Sequence, residues 1–360
     1  MHHGEQPPDA VIRIRHRDDP VELVTEHDAV ERAGAYPTLR LGAPIFGYAV
    51  DLGGGRWQVH ELVEETPQAA RDALAHRLRD RIAETADADL LAELTSVRTV
   101  LDWQKVDEVT VGGRRHRVIR ADTFARFGPD GPEPPRPTDP DPRDADTSDS
   151  FLGGADLVAD PAEPTGVGAA VLKVELLPAR YPRAQVPADV YADSVAAVRS
   201  HPDGVLLPTR FAVAEQVGAG WHPTSRAVAT PQEARDLITF EFRWLVPRLA
   251  DPTEAEAAEY RRAADRIDAT RTHEVTVLGR RFRITRVETL LRFSADGPEG
   301  PRPSDPDPEP PPEVHFARLR AEGRLPPHPH PPTPTPHPPR PGALIKKFGD
   351  DTSTLSAKTS

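Results

Sequence analysis

The chain reads as an α+β protein formed by tandem duplication. Two homologous domains, each a largely antiparallel sheet with helices packed on it, carry proline-rich straps and are followed by a disordered tail. Three observations predict this. Residues 107–142 (DEVTVGGRRHRVIRADTFARFGPDGPEPPRPTDPDP) and 273–308 (HEVTVLGRRFRITRVETLLRFSADGPEGPRPSDPDP) agree at 23 of 36 positions, with a shift of 166 and no gap. A second match, TPQAARD at 66–72 with TPQEARD at 230–236, falls at a shift of 164, so the likeness is not confined to one block. Most of the 42 prolines are gathered in three blocks, and each proline removes a donor and fixes φ, so those blocks read as strap, linker and tail. The expected boundaries are a first domain at 1–142, an acidic linker at 143–165, a second domain at 166–312 and a tail at 313–360.

Taken in order, Val11–Ile14 reads as a short strand, and Asp19-Pro20-Val21-Glu22 as a helix start with a capping box. Val24, His27 and Val30 are expected on its buried face, with Gly34 closing it. Gly53-Gly54-Gly55 turns a hairpin in which Phe46, Tyr48 and Trp57 pack. Thr66-Pro67-Gln68 caps a helix carrying Ala70, Leu74, Leu78 and Ile82. A further helix carries Leu90, Leu94, Val97 and Leu101. With Gly112-Gly113 as a turn, Glu108 faces Arg117 and Val109 faces His116. Val109, Val111, His116 and Val118 then point inward, and Glu108, Thr110, Arg115 and Arg117 outward. Leu278-Gly279 allows a positive φ only at its second residue, which leaves that turn free to slip by one. Residues 122–127 and 288–293 read as short helical turns, followed by Pro129-Asp130-Gly131 as a type I turn and then an extended strap. In the second half, Val171–Leu176 alternates like a strand and Asp189–Ser200 reads as a helix. Phe211, Val213 and Trp221 belong to a hairpin, and Asp251-Pro252-Thr253-Glu254 caps a helix with Ala257, Tyr260, Ala264 and Ile267 on one side.

Composition narrows the function. The formal charge is −12, and residues 138–165 hold eight acids against Arg143, so the acidity is largely a linker property and disfavours non-specific nucleic-acid binding. The absence of cysteine excludes disulfides and thiolate zinc sites. No apolar run approaches ~18 residues, which excludes a spanning helix, and the start MHHGEQPPDAV has no signal-peptide core, so the expected location is cytoplasmic. Oligomeric state is not legible.

The one side-chain pattern suited to binding is a pair of arginine ribbons, Arg114, Arg115, Arg117 and Arg120 with Arg280, Arg281, Arg283 and Arg286. Guanidinium groups offer a rigid donor fork to phosphate or carboxylate. The competing expectation is that these arginines pair with Glu108 and Glu274 across their own hairpins. The aspartates at 139–149 match no calcium loop and read as linker. His328, His330 and His337 sit in a polyproline tract unsuited to holding a metal. No catalytic residues, cofactor site or metal site emerge.

The stretches DDPVELVTEHDA, TPQAARD, TPQEARD and LKVELLPARYP, with the two DGPE…PRP…DPDP blocks, resemble an uncharacterised, internally duplicated protein family of Streptomyces-type actinobacteria. The likeness spans about 11–310. It implies no established activity, substrate or cofactor, and so transfers no site residue. The expected function is a non-catalytic interaction or scaffolding module with a protein partner. Two alternatives stay open: an anionic ligand or nucleic acid held by the arginine ribbons, and an enzyme of unrecognised type with its site between the repeats.

Overall fold

Residues 114–127 and 280–294 contain neither glycine nor proline, and β-branched or aromatic residues recur along them, so nothing interrupts extended pairing there. They form two long neighbouring strands of one sheet. A computed structural model describes residues 12–15, 20–142 and 157–326. In chain order its first half comprises α1 (Pro20–Ala35), β1 (Thr38–Leu41), β2 (Ile45–Gly53), β3 (Arg56–Glu64), α2 (Pro67–Glu84), α3 (Ala88–Trp103), β4 (Glu108–Val111), β5 (Arg114–Gly128) and β6 (Gly131–Pro132). The second comprises β7 (Val158–Ala159), α4 (Val167–Leu176), α5 (Ala188–Ser200), β8 (Asp203–Val217), β9 (Gly220–Pro223), α6 (Pro231–Phe240), a π-turn (Glu241–Leu245), α7 (Val246–Leu249), α8 (Glu254–Thr270), β10 (Glu274–Val277), β11 (Arg280–Ser294), β12 (Gly297–Pro298) and α9 (Pro312–Ala321). The chain forms two compact units, Met1–His315 and Phe316–Ser360, and the whole sheet lies in the first.

The sheet is antiparallel and curled, with the path β7-β3-β2-β5-β11-β8-β9 and short strands attached to β5 and β11. At its centre Thr123 lies opposite Thr289, flanked by Asp122 opposite Leu290 and Phe124 opposite Glu288. Thr123 and Thr289 are matched positions of the two similar segments, so the register sets each half against its counterpart about a local two-fold. Helices cover the sheet in the same way on both sides. Leu74, Leu78, Leu94 and Leu101 of α2 and α3 pack with Tyr48 and Val111, while Ile238, Phe242, Tyr260 and Ile267 pack with Val213, Val275 and Phe282. A third core needs no helix: Trp57, Val59, Ile119 and Ala121 of the first half meet Leu207, Leu291 and Phe293 of the second. Apolar burial therefore crosses between the halves as well as lying within them.

Local signals account for most element starts. Thr66 and Thr230 cap α2 and α6 by accepting from the third residue onward, with proline at the first helical position. Thr253, with Glu256, supplies a reciprocal capping box for α8. Both predicted hairpin registers are observed, Glu108 opposite Arg117 and Glu274 opposite Arg283.

Four expectations are corrected. Residues 122–127 and 288–293 are not helical turns but the continuation of β5 and β11. Asp122 and Arg292 neutralise each other inside the sheet and Glu175 of α4 neutralises Arg126, so these charges do not interrupt the strands. Val171–Leu176 is helix, not strand: Ala170, Lys173 and Leu176 are buried at a spacing of three while Val171 and Val174 are exposed. On α1, Val24 and Val30 are exposed, and the inward face runs through Glu26, Ala29 and Ala33. The tail expected from 313 begins inside α9. Val11, Asp19 and the tail histidines lie outside the described residues, as do 143–156 of the expected linker; its end carries β7, paired with β3.

The register at Leu278-Gly279 does not slip, because Leu278 accepts a left-handed φ of 50°. Its counterpart Gly112 sits at 58° without strain. Leu278 is 47% exposed, so little packing opposes a change. Leu278→Asn, giving the favoured Asn-Gly turn, is expected to raise stability by about 1 kcal/mol, read as a higher denaturation midpoint at unchanged slope.

Candidate functional site

The eight arginines of the ribbons fall into three groups. Glu108 accepts from Arg115 (2.9 Å) and Arg117 (2.7 Å), and Glu274 from Arg281 (2.6 Å) and Arg283 (2.8 Å). The hairpin pairing expected from the register is thus present, and the two guanidinium groups of each hairpin lie over one indole, Trp57 or Trp221, at 5.0–5.5 Å. Arg280 instead grips Glu215 at 2.7 and 2.8 Å and donates to the Tyr260 hydroxyl. Arg114 is exposed and has no ion pair among the described residues. Arg120 and Arg286 form the third group and are not outward. They are 1% and 12% exposed and lie within clusters of buried charge. Arg283 is also buried rather than outward.

Those clusters explain the straps. After β6 the strap of the first half crosses to the second: Glu133 O accepts from Arg286 N (2.9 Å), Pro132 O from Arg283 (3.0 Å), and Asp139 from Arg286 Nε (3.1 and 3.2 Å). The strap after β12 returns the contact: Glu299 O accepts from Arg120 N (2.9 Å), Pro298 O from Arg117 (3.1 Å), and Asp305 from Arg120 Nε (3.0 and 3.1 Å). The end of each strap reaches the repeated TPQ motif of the other half, Asp307 to Arg71 (2.8 Å) and Asp141 to Arg235 (2.5 and 2.7 Å). Asp139 and Asp141 are therefore clamp residues, not solvated linker. Sequence reading missed them together with Arg71, Arg235, Asp305 and Asp307. The available signal was that each recurs at the same place in both matching segments.

Asp122 is the most enclosed of these acids. It is 2% exposed and accepts from Arg120, from Arg292 Nε (2.9 Å) and from Arg302 (3.4 Å). Burial alone would raise its pKa, but the three guanidinium groups outweigh it and hold the carboxyl far below the usual range. Arg292 also donates to the carbonyls of Leu176, Leu177 and Ala179, tying the end of α4 to the sheet. Tyr181 lies beside Arg120 and donates to Gly42 O (2.9 Å).

The counterpart cluster, Arg286, Glu288, Arg136, Glu133 and Asp139, opens instead onto a cavity of about 770 Å³. Its walls come from α1, α4, the Pro164–Gly166 turn, β8 and the first strap. Leu157, Leu172, Leu206 and Leu207 supply apolar surface. Arg126, Arg136, Arg286 and Lys173 supply buried cations. The first three are neutralised within the chain: Arg126 by Glu175, Arg136 by Glu133 (2.7 Å), and Arg286 by Asp139 and Glu288. Among the described residues Lys173, 5% exposed, reaches only Asp203, at 3.8 Å, beyond hydrogen-bond distance. Burial lowers its pKa; Asp203 opposes that and Arg13 adds to it. Among the described residues no three His, Asp or Glu side chains converge as a metal site, and no helix is long and apolar enough to cross a membrane.

His116 marks a break in the symmetry between the halves. It occupies the place of Phe282, is 5% exposed, and neither ring nitrogen has a hydrogen-bond partner among the described residues. Burial, with Arg81, His60 and Arg114 nearby, lowers its pKa to about 4. The folded state thus refuses a proton that the unfolded chain accepts below about 6.5. Stability is unaffected above that pH, falls as pH drops towards 4, and loses about 3 kcal/mol in all from this group. His116→Phe is expected to raise neutral-pH stability by about 1–3 kcal/mol and to remove this limb from urea midpoints measured between pH 7 and 4. The gap between wild type and the variant would widen over that range and then stay constant below pH 4, where depressed carboxylates such as Asp141 and Asp307 begin to protonate in both.

No curated protein and no solved structure matches the chain. One family model does, across residues 19–308, the span that contains both segments, both straps and all of the cavity wall but Arg15. The chain belongs to DUF5954, a family of unknown function.

Proposed function

We propose that this chain is a non-catalytic binding protein made of two fused repeats, and that its cavity takes a small organic anion. One observation carries the reading. Of the buried cations in the cavity wall, Lys173 is the least compensated, with its one carboxylate among the described residues at 3.8 Å. An ammonium so weakly paired under that degree of burial is costly, and an incoming carboxylate would relieve it. Arg136 supports the same ligand: Glu133 engages its Nε and Nη2, which leaves Nη1 with no acceptor among the described residues. The leucine wall would cover an apolar body, the usual division of labour in a small-molecule pocket. Seven of the eight ribbon arginines, all but Arg114, are engaged by the chain's own carboxylates, which argues against phosphate or nucleic acid there.

Thermal unfolding against a panel of short-chain mono- and dicarboxylates tests this. A ligand at ~100 times its dissociation constant stabilises by about 2.7 kcal/mol. Wild type should respond and Lys173→Met should not, while neutral amides of the same acids should leave both unmoved. A panel in which no acid stabilises wild type overturns the reading.

A second reading has its own observation. Phe240, Trp244 and Leu249, 52%, 51% and 80% exposed, follow one another along α6, the π-turn and α7. Exposed aromatic surface of this kind favours a protein partner, hence an interaction or scaffolding role in the cytoplasm. Trp244→Ser/Leu249→Ser should lose a partner that wild type retains through purification; equal recovery removes this reading.

A further inference from the structure

Lys173 has no structural duty that its chemistry explains. It lies in the last turn of α4, where a cation often serves the free carbonyls. Here Arg292 fills that part, donating to Leu176, Leu177 and Ala179, and Lys173 donates to no carbonyl among the described residues. Ala170 and Leu176, the residues buried one turn to either side of it, are apolar, and a methionine would fill the same place without desolvating a charge. A lysine retained there beside a cavity, in weak contact with a carboxylate and near the Arg13 cation, is in the setting that turns an ammonium into a nucleophilic amine.

Resting on the anion-binding role of this cavity, we propose that Lys173 captures a small 2-oxo acid as a reversible imine, with Arg136 holding the acid's carboxylate. The neutral ε-amine adds to the keto carbon. The new C–N bond forms as the carbonyl π pair moves to oxygen, which takes up a proton. Nitrogen releases its surplus proton to Asp203, directly or through water, since the carboxylate stands 3.8 Å away. Asp203 returns that proton to the hydroxyl, which leaves as water, and the resulting iminium gives its remaining N–H proton to solvent, replacing the one the oxygen took up. Lysine and oxo acid give imine and one water, with no oxidant or reductant, and hydrolysis reverses the sequence. The apolar wall excludes competing water from the C=N bond while the ligand stays.

The test incubates the full chain with pyruvate, reduces it with borohydride and maps adducts by peptide mass spectrometry. Pyruvate binding without reductant is measured in parallel by calorimetry. The sequence has five lysines, Lys105, Lys173, Lys346, Lys347 and Lys358, so the map is unambiguous. One adduct at Lys173 is expected in wild type. Lys173→Arg, which keeps the charge but cannot form an imine, should still bind pyruvate, with affinity reduced at least several-fold, and should lose the adduct. Pyruvate binding with no borohydride-trapped adduct would overturn the imine while leaving the anion site standing. Adducts confined to other lysines, or equal in Lys173→Arg, would overturn it too. Neither binding nor adduct would remove both.

Discussion

Replacing Asp122 with alanine is expected to cost about 3–5 kcal/mol of folding stability, the largest single effect in the molecule. The carboxylate is 2% exposed and is the shared acceptor of Arg120, Arg292 and Arg302. Removing it leaves three guanidinium groups enclosed, with Asp305 still on Arg120 and Glu299 still on Arg302, while Arg292 keeps only backbone carbonyls. The damage should spread to α4, whose end Arg292 anchors. Amide exchange at residues 167–177 should accelerate more than at α2, which shares no residue with the cluster. Glu288→Ala is the natural comparison. Its carboxylate serves Arg286, which retains Asp139, so a smaller loss is expected from the same chemistry in the other half. Equal losses from both variants would mean that the Arg292 anchor contributes nothing.

Gly297→Ala should lower stability by about 2–5 kcal/mol, from backbone strain and overpacking together. Gly297 has φ 127°, a region closed to side chains, and an added Cβ would stand 2.6 Å from Trp57 Cζ2. Trp57 is 1% exposed and sandwiched under Arg115 and Arg117, so it cannot yield. The strap that starts at Gly297 would lift, and with it Asp296, whose carboxyl Arg117 and Arg115 hold down at about 2. Asp296 should therefore titrate closer to an ordinary aspartate in the variant, which carboxyl NMR shifts would show. Gly131 makes the same approach to Trp221, 2.5 Å from its Nε1 at φ 119°, and Gly131→Ala should behave alike.

Local features were legible because local chemistry determines them. The TPQ caps, the triple-glycine hairpin and the facing of Glu108 with Arg117 each depend on a few neighbouring residues. Crossing of the straps was not legible, since nothing in DPDP says whether its aspartates answer the arginines of their own half or of the other. Burial of Arg120 and Arg286 was hidden for the same reason: each has one acid two residues away, Asp122 or Glu288, but the second acid that closes the pair off lies 185 or 147 residues away along the chain. Val171–Leu176 failed as a strand because VLKVEL satisfies a period of two as well as three, and only packing against α1 and the sheet decides. Lys173, at the centre of that misread segment, was missed with it.

The central structural claim is that exchanged straps and the shared core around Trp57 and Phe293 make the two halves stabilise each other. Differential scanning calorimetry of the full chain tests it most directly, by comparing the van't Hoff with the calorimetric enthalpy of unfolding. A single transition with a ratio close to one, shifted as a whole by Gly297→Ala, is expected. Two resolved transitions, only one of which moves in that variant, would contradict it.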